Sequence, residues 1–123
     1  MNSSHNRRAT LTPRVKIWME TDDGFAFGFG LIQILQAVGR AGSIKAAAVE
    51  LERSYRHIWN RIKEAESALQ VPLVETQVGG QGSQRSTLTD HARTLVDEFL
   101  SLKARMITSL GDQSRAIDEL ENS

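Results

Sequence analysis

Between Arg53 and Lys63 the sequence reads RSYRHIWNRIK, with four basic side chains and no acid. A guanidinium fork matches the two acceptors on the major-groove edge of guanine, asparagine pairs with adenine, and lysine or serine suits a phosphate oxygen. Wound as a helix, the stretch spreads Arg56, His57, Asn60, Arg61 and Lys63 over the side opposite Trp59 and Ile62, with Arg53 and Ser54 at its start. A lone basic helix is ordinarily a solvated face. Two features weigh against that here: the face has no acid until Glu64, and a small, alanine-rich helix precedes it. Other chemistries have weaker support. His5, His57 and His91 have no metal-ligand spacing, and there is no cysteine to supply a thiolate. Asp90 and His91 open a helix, where an aspartate is explained by the helix dipole or a cap. Trp18 and Trp59 read as core or interface residues rather than as a substrate platform. An enzyme is the rival class, but no catalytic residue, metal ligand or cofactor is assigned.

A second stretch, QVGGQGSQRSTLT from Gln77 to Thr89, has no apolar residue between Val78 and Leu88. It could be a phosphate cradle, a linker or a hairpin tip. A nucleotide-binding loop needs a strand before it and a helix opening with Lys-Ser/Thr directly after it, and neither is in register. The flanks LVET (73–76) and STL (86–88) read as paired strands, which argues against a linker. Gly79, Gly80 and Gly82 let a tip turn with positive φ. Gln77, Gln81, Ser83, Gln84 and Arg85 offer donors to phosphates or the minor-groove floor. The reading is a wing over 77–87.

The elements that must hold these two stretches follow from periodicity. The segment RVKIWMETDDGFAFG sets Val15, Ile17 and Met19 against Lys16, Trp18 and Glu20, and Asp23-Gly24 supplies a turn before Phe25 and Phe27, so an antiparallel ribbon is expected. A helix from about Gly30 to Ala41 buries Leu31, Ile34, Leu35 and Val38. Gly42 ends it, and Ser43 caps a second helix carrying Ile44, Ala47, Ala48 and Leu51. Ser54 caps the third, whose apolar face is Tyr55, Ile58, Trp59, Ile62, Ala65 and Leu69, and Pro72 stops it. A last helix starts at Thr89 or Asp90 and runs to about Leu110 or beyond. Its Ala92, Leu95, Phe99, Leu102 and Met106 approach a coiled-coil seam. The fold expected is mainly α with a small β component, a winged helix-turn-helix with an N-terminal β-ribbon and a long C-terminal dimerisation helix. Residues 1–13 form a mobile polar N-terminus, 14–88 the winged helix-turn-helix and 89–123 the dimerisation helix with an acidic tail. Leu95, Phe99, Leu102 and Met106 are the expected dimer contacts.

At 123 residues the chain suits one domain. An apolar fraction of 40% and a charged fraction of 24% are those of a soluble globular protein. No apolar run approaches the ~18 residues of a membrane helix, so no membrane association is expected. The absence of cysteine fits a reducing cytoplasm. Net charge is zero but unevenly placed: residues 1–85 hold eleven Lys/Arg against eight Asp/Glu, and residues 86–123 hold four against seven. A neutral chain of this kind can still present a basic face.

The run GSIKAAAVELERSYRHIWNRIKEAESALQVPLVET, followed by STLT, resembles the helix-turn-helix of bacterial LysR-type regulators: a support helix with GS-x-x-x-AA, a serine-led recognition helix, then I-K-x-x-E-x-x-L-x-V-P-L-x-E and LT. It is closer still to the N-terminal domain of molybdate-dependent regulators of the ModE type, through Ser54, Tyr55 and Trp59, the tip glycines Gly79, Gly80 and Gly82, and Leu88-Thr89. The resemblance covers roughly residues 14–110. It implies a homodimeric transcriptional regulator that pairs through its first and last helices and sets its two recognition helices in successive major grooves of double-stranded DNA. The basic residue after Ser-Tyr is then Arg56. The residues expected to face DNA are Ser43, Lys45, Arg53, Ser54, Tyr55, Arg56, His57, Asn60, Arg61, Lys63, Gln81, Ser83, Gln84 and Arg85. The oxyanion-binding modules of such regulators have no counterpart in this sequence, and the stretch after Leu110 carries Asp112, Asp118, Glu119 and Glu121 against Arg115. Molybdate is therefore not expected to bind this chain alone. The alternative is a winged-helix adaptor that contacts protein and not DNA, which salt-sensitive DNA binding would separate.

Overall fold

Two antiparallel strands, β1 (Trp18–Glu20) and β2 (Ala26–Gly28), open the fold, with Met19 opposite Phe27. The structure is a computed structural model that describes residues 9–79 and 84–122, with 113–122 described by backbone alone. His5, Arg7 and Arg8, and the expected tip residues Gly80, Gln81, Gly82 and Ser83, lie outside the described residues. So do the side chains of Arg115, Asp118, Glu119 and Glu121. The ribbon's turn is closed by a hydrogen bond from the Thr21 amide to the Phe25 carbonyl (2.8 Å) and by the Thr21 hydroxyl on Asp23. Of the face expected to point inward, only Ile17 packs on the core; Val15 and Met19 are exposed.

Helix α1 (Phe29–Ala41) is the centre of the molecule. Its Leu31, Ile32 and Leu35 join Phe27, Ala65, Leu73, Ala92, Val96 and Phe99 in one buried cluster. Ile34, Ala37 and Val38 join Ile44, Ala47, Ala48, Ile58 and Ile62 in another. The expected stripe of Leu31, Ile34, Leu35 and Val38 is buried, and Ile32 and Ala37 widen it until the helix is covered on two sides. A helix sandwiched between layers is apolar well beyond one face.

Gly42 ends α1 at φ 80°, a left-handed conformation that costs a residue with a Cβ about 1 kcal/mol. Its amide donates to the Val38 carbonyl. Helix α2 (Ile44–Glu50) follows at once, and helix α3 (Tyr55–Leu69) after four residues. Gln70, also left-handed at φ 59°, ends α3 before Pro72 is reached, so the expected proline stop is a cap instead. Strands β3 (Val74–Val78) and β4 (Gln84–Leu88) pair antiparallel from Val74↔Leu88 to Val78↔Gln84. They reach further toward the tip than the LVET and STL segments, because ladder hydrogen bonds do not require apolar side chains. Helix α4 (Asp90–Asn122) completes the fold. Thr89 caps it: the hydroxyl accepts from the Ala92 amide (3.1 Å), so Asp90 is left in the first turn, where it pairs with Arg93 (2.5 Å) and suits the dipole.

Candidate nucleic-acid interface

Two caps and one turn fix how α3 is presented. Ser43 Oγ accepts from the Ala46 amide and Ser54 Oγ from the His57 amide, each at 3.0 Å. Between the helices, the Arg53 amide donates to the Ala48 carbonyl and the Glu52 amide to the Val49 carbonyl, the double bond pattern of a Schellman turn. The left-handed residue this turn needs is Glu52, at φ 55°. Arg40 adds a clamp from α1 to α2, donating from Nε and Nη2 to Glu50 at 3.3 and 2.8 Å. That hydrogen bond, with the carboxylate's charge, holds the arginine pKa above its ordinary value.

Helix α3 buries Ile58, Ile62 and Ala65 and, apart from the half-buried Arg61, exposes the remainder of its first three turns. Arg56 and Asn60 lie at the crest opposite the buried residues. His57 and Arg61 take the flank toward α1, where they line a shallow cleft of about 330 Å³ with Arg53, Gly30 and Gln33. Lys63 is on the other flank, beside Tyr55 and Trp59. The sequence reading set both on the apolar face of α3, while also expecting Tyr55 to face DNA and Trp59 to be core or interface; they are 46% and 41% exposed. The space beneath α3 is already filled by Ile58, Ile62 and the small residues of α2. Trp59 is thus a surface residue of the same face as Arg56 and Asn60, and the sequence reading missed it.

The charges on this face differ in availability. Arg53, Arg56, His57 and Asn60 make no side-chain hydrogen bond or ion pair among the described residues. Arg61 is half-buried and pairs with Glu64 (3.0 Å), and Lys63 pairs with Glu66 (3.2 Å). Lys45 is exposed on α2, whereas the hydroxyls of Ser43 and Ser54 are already engaged as caps.

The wing is rooted at three points. Glu66 Oε2 accepts from the Leu73 and Val74 amides (2.8 and 3.2 Å), the Ser86 amide donates to the Gly42 carbonyl (2.8 Å), and the Thr89 hydroxyl donates to the Pro72 carbonyl (2.7 Å). Strand β4 passes so close to α1 that a Cβ on Gly39 would lie 3.2 Å from the Leu88 side chain. Glu66 is a second residue whose part the sequence reading did not find; its place eight residues before β3 gives no signal at helical spacing. Further out, Gln84 and Arg85 are both exposed. Successive residues of a strand face opposite ways, so a groove meeting one side of the ribbon takes one of the two. Gln77 stands opposite Arg85 and shares its side.

In α4, Leu95 and Leu102 are half-buried and Met106 is 40% exposed, but Phe99 is 3% exposed. Phe99 must be removed from the expected dimer contacts. Its ring centroid is 6.4 Å from that of Phe27 within the chain's own core. Ile107, 52% exposed, lies beyond it, and Lys103 sits 3.5 Å from the Phe29 ring centroid. Among the described residues no group of three or more His, Cys, Asp or Glu comes together, and no helix is long and apolar enough to cross a membrane.

The family model of bacterial regulatory helix-turn-helix proteins, lysR family, matches residues 29–93, just over half of the chain. The chain belongs to the lysR family. That sets residues 29–93 among the helix-turn-helix domains of bacterial regulatory proteins. Two curated relatives are the molybdenum transport protein ModE of Azotobacter vinelandii and the molybdenum-pterin-binding protein MopB of Rhodobacter capsulatus. The first is 30% identical over 83% of this chain and 38% of its own length; the second is 27% identical over 77% and 35%. The lysR-family chain thus spans little more than a third of these relatives. Among solved structures, the CbnR_DBD–DNA complex aligns with a TM-score of 0.53 at 25% identity, covering 75% of this chain and 99% of that one. The BenM_DBD bound to benA site 1 DNA shares the fold, with a TM-score of 0.54 at 18% identity.

Proposed function

We propose that the chain reads specific sites on double-stranded DNA as a homodimer, with α3 in the major groove and the β3–β4 wing on the backbone or minor groove of the adjacent turn. The observation that carries this is the outer face of α3. Arg53, Arg56 and Asn60 stand there exposed and without side-chain partners among the described residues, on a helix fixed by caps at both its support and its start. Side chains with several donors, held rigid and left unpaired, suit base edges and phosphates. The likeness to a DNA-bound relative supports the same docking. Residues 14–88 would form the reading domain, and the part of α4 that leaves the core, with Leu102, Met106 and Ile107, would meet the second copy.

Arg56→Ala tests the reading. Loss of a bidentate base contact should lower affinity for a site selected from random DNA by ~1–3 kcal/mol and relax the preference at one position. Lys63→Ala should change little, because Glu66 already holds that ammonium. Binding to the selected site that is unaffected by Arg56→Ala would exclude α3 as the reader.

The names of the curated relatives invite a molybdate response, and for this 123-residue chain we expect none. A tetrahedral oxyanion is held selectively by several convergent donors in a desolvated pocket. The residues after Leu110 bring four carboxylates against one arginine. DNA affinity should therefore be equal in molybdate and sulfate at matched ionic strength; a saturable, molybdate-selective change would contradict this.

A further inference from the structure

Tyr55 and Trp59 are one helical turn apart, so their rings share a flank of α3. Lys63, a further turn along, carries its ammonium 5.6 Å from the Trp59 ring centroid while pairing with Glu66. The result is a short apolar ridge beside the polar crest of Arg56 and Asn60. Two aromatic rings left in water on a regulator's reading helix are out of place unless a ligand covers them. The flanking charges point to what that ligand is. Arg56 and Lys63 border the ridge, Arg53 stands across the crest at the start of the helix, and the described stretch from Arg53 offers no carboxylate before Glu64. A polyanion would press the ridge against its own surface.

We infer that Tyr55 and Trp59 read the C5-methyl groups of thymine, so that part of the sequence preference is set by apolar contact and not by hydrogen bonds. The major-groove floor of duplex DNA displays donors and acceptors from every base, and its one apolar group is the thymine methyl. Ring carbons have nothing to exchange with the polar edges and a great deal to gain from that methyl. Stacking on bases is the other use of an exposed ring, but it requires unpaired strands. A helix capped at Ser54 and anchored by Ile58 and Ile62 is shaped for a groove. Arg56 and Asn60 then read polar edges on the neighbouring base pairs.

This rests on the docking proposed above, and the test separates the two. A duplex selected from random DNA by the full chain is remade with deoxyuridine replacing thymidine at one position at a time. The change removes a methyl and leaves every hydrogen bond in place. At one or two positions the wild-type chain should bind about three- to tenfold more weakly. In Trp59→Ala, or in Tyr55→Ala for a second position, the same replacement should have no further effect, the signature of a coupled pair. Should Trp59→Ala fold poorly, Trp59→Gln serves, and the deoxyuridine scan of the wild type needs no variant. If no position responds in the wild type while Arg56→Ala still weakens binding, the methyl assignment falls and the docking stands. If the response survives both substitutions, some other residue reads the methyl. A chain that selects no DNA, or that uses Trp59 to hold another protein, overturns both.

Discussion

Phe99→Ala should destabilise the folded chain by about 3–5 kcal/mol. The ring is 3% exposed and meets Phe27, and it sits in the cluster that Leu31, Ile32 and Leu35 bring from α1 and Ala92 and Val96 from α4. Removing it leaves a cavity where three elements converge, and a domain whose total stability is on the order of 5–15 kcal/mol will feel the loss sharply. The measurement is a urea midpoint at unchanged slope. It should be taken at two protein concentrations, because the apparent stability of a self-associating protein depends on concentration. Phe99→Leu should lose less and serves if the alanine variant does not fold. Met106→Ala, on the exposed continuation of the same helix, should stay within about 1 kcal/mol in the monomer and act instead on self-association. If Phe99→Ala kept its urea midpoint and altered only the sedimentation behaviour, Phe99 would be an interface residue after all.

The misplacement of Phe99 shows what periodicity can and cannot tell. Ala92, Val96 and Phe99 make one inward stripe of α4, and Leu95, Leu102 and Met106 make a second, rotated by roughly a sixth of a turn. At 3–4 spacing the two stripes read as one seam, and only the neighbours decide which residues turn inward. The same ambiguity put Tyr55 and Trp59 on the apolar face of α3. They border the Ile58–Ile62 face, and hydrophobicity alone cannot reveal that α2 brings alanines close and leaves no room for an indole. Features that depend on local chemistry were legible. The Ser43 and Ser54 caps, the Gly42 terminus and the hairpin at Asp23-Gly24 follow from side-chain hydrogen bonding and from φ, which the sequence specifies nearby. The basic run from Arg53 to Lys63 was legible as a run. That Arg61 and Lys63 are engaged with Glu64 and Glu66 was not, since ion pairing depends on rotamers as well as on spacing.

Glu66→Ala should have the next largest effect, about 2–4 kcal/mol, and it should reach DNA binding through the wing. One carboxylate oxygen accepts both the Leu73 and the Val74 amides, while the other holds Lys63. The side chain is 14% exposed, so water replaces it poorly. A buried amide left without an acceptor costs about 1–3 kcal/mol, and two are stranded at once. Those amides mark the point where the chain leaves α3 and enters β3, so their loosening changes how the ribbon sits relative to the reading helix. Amide hydrogen exchange at Leu73 and Val74 should accelerate in Glu66→Ala, and affinity for a selected DNA site should fall although Glu66 itself offers nothing to a phosphate. Glu66→Gln keeps a carbonyl oxygen for the two amides and gives up only the ion pair with Lys63, so it should retain most of the stability and leave exchange at Leu73 slow. Lys63, released in both variants, would by itself raise general affinity for DNA. A fall in affinity with alanine and a small rise with glutamine would therefore separate wing placement from charge. Slow exchange at Leu73 and Val74 in Glu66→Ala would mean that the remaining roots, Ser86 on Gly42 and Thr89 on Pro72, hold the wing without it.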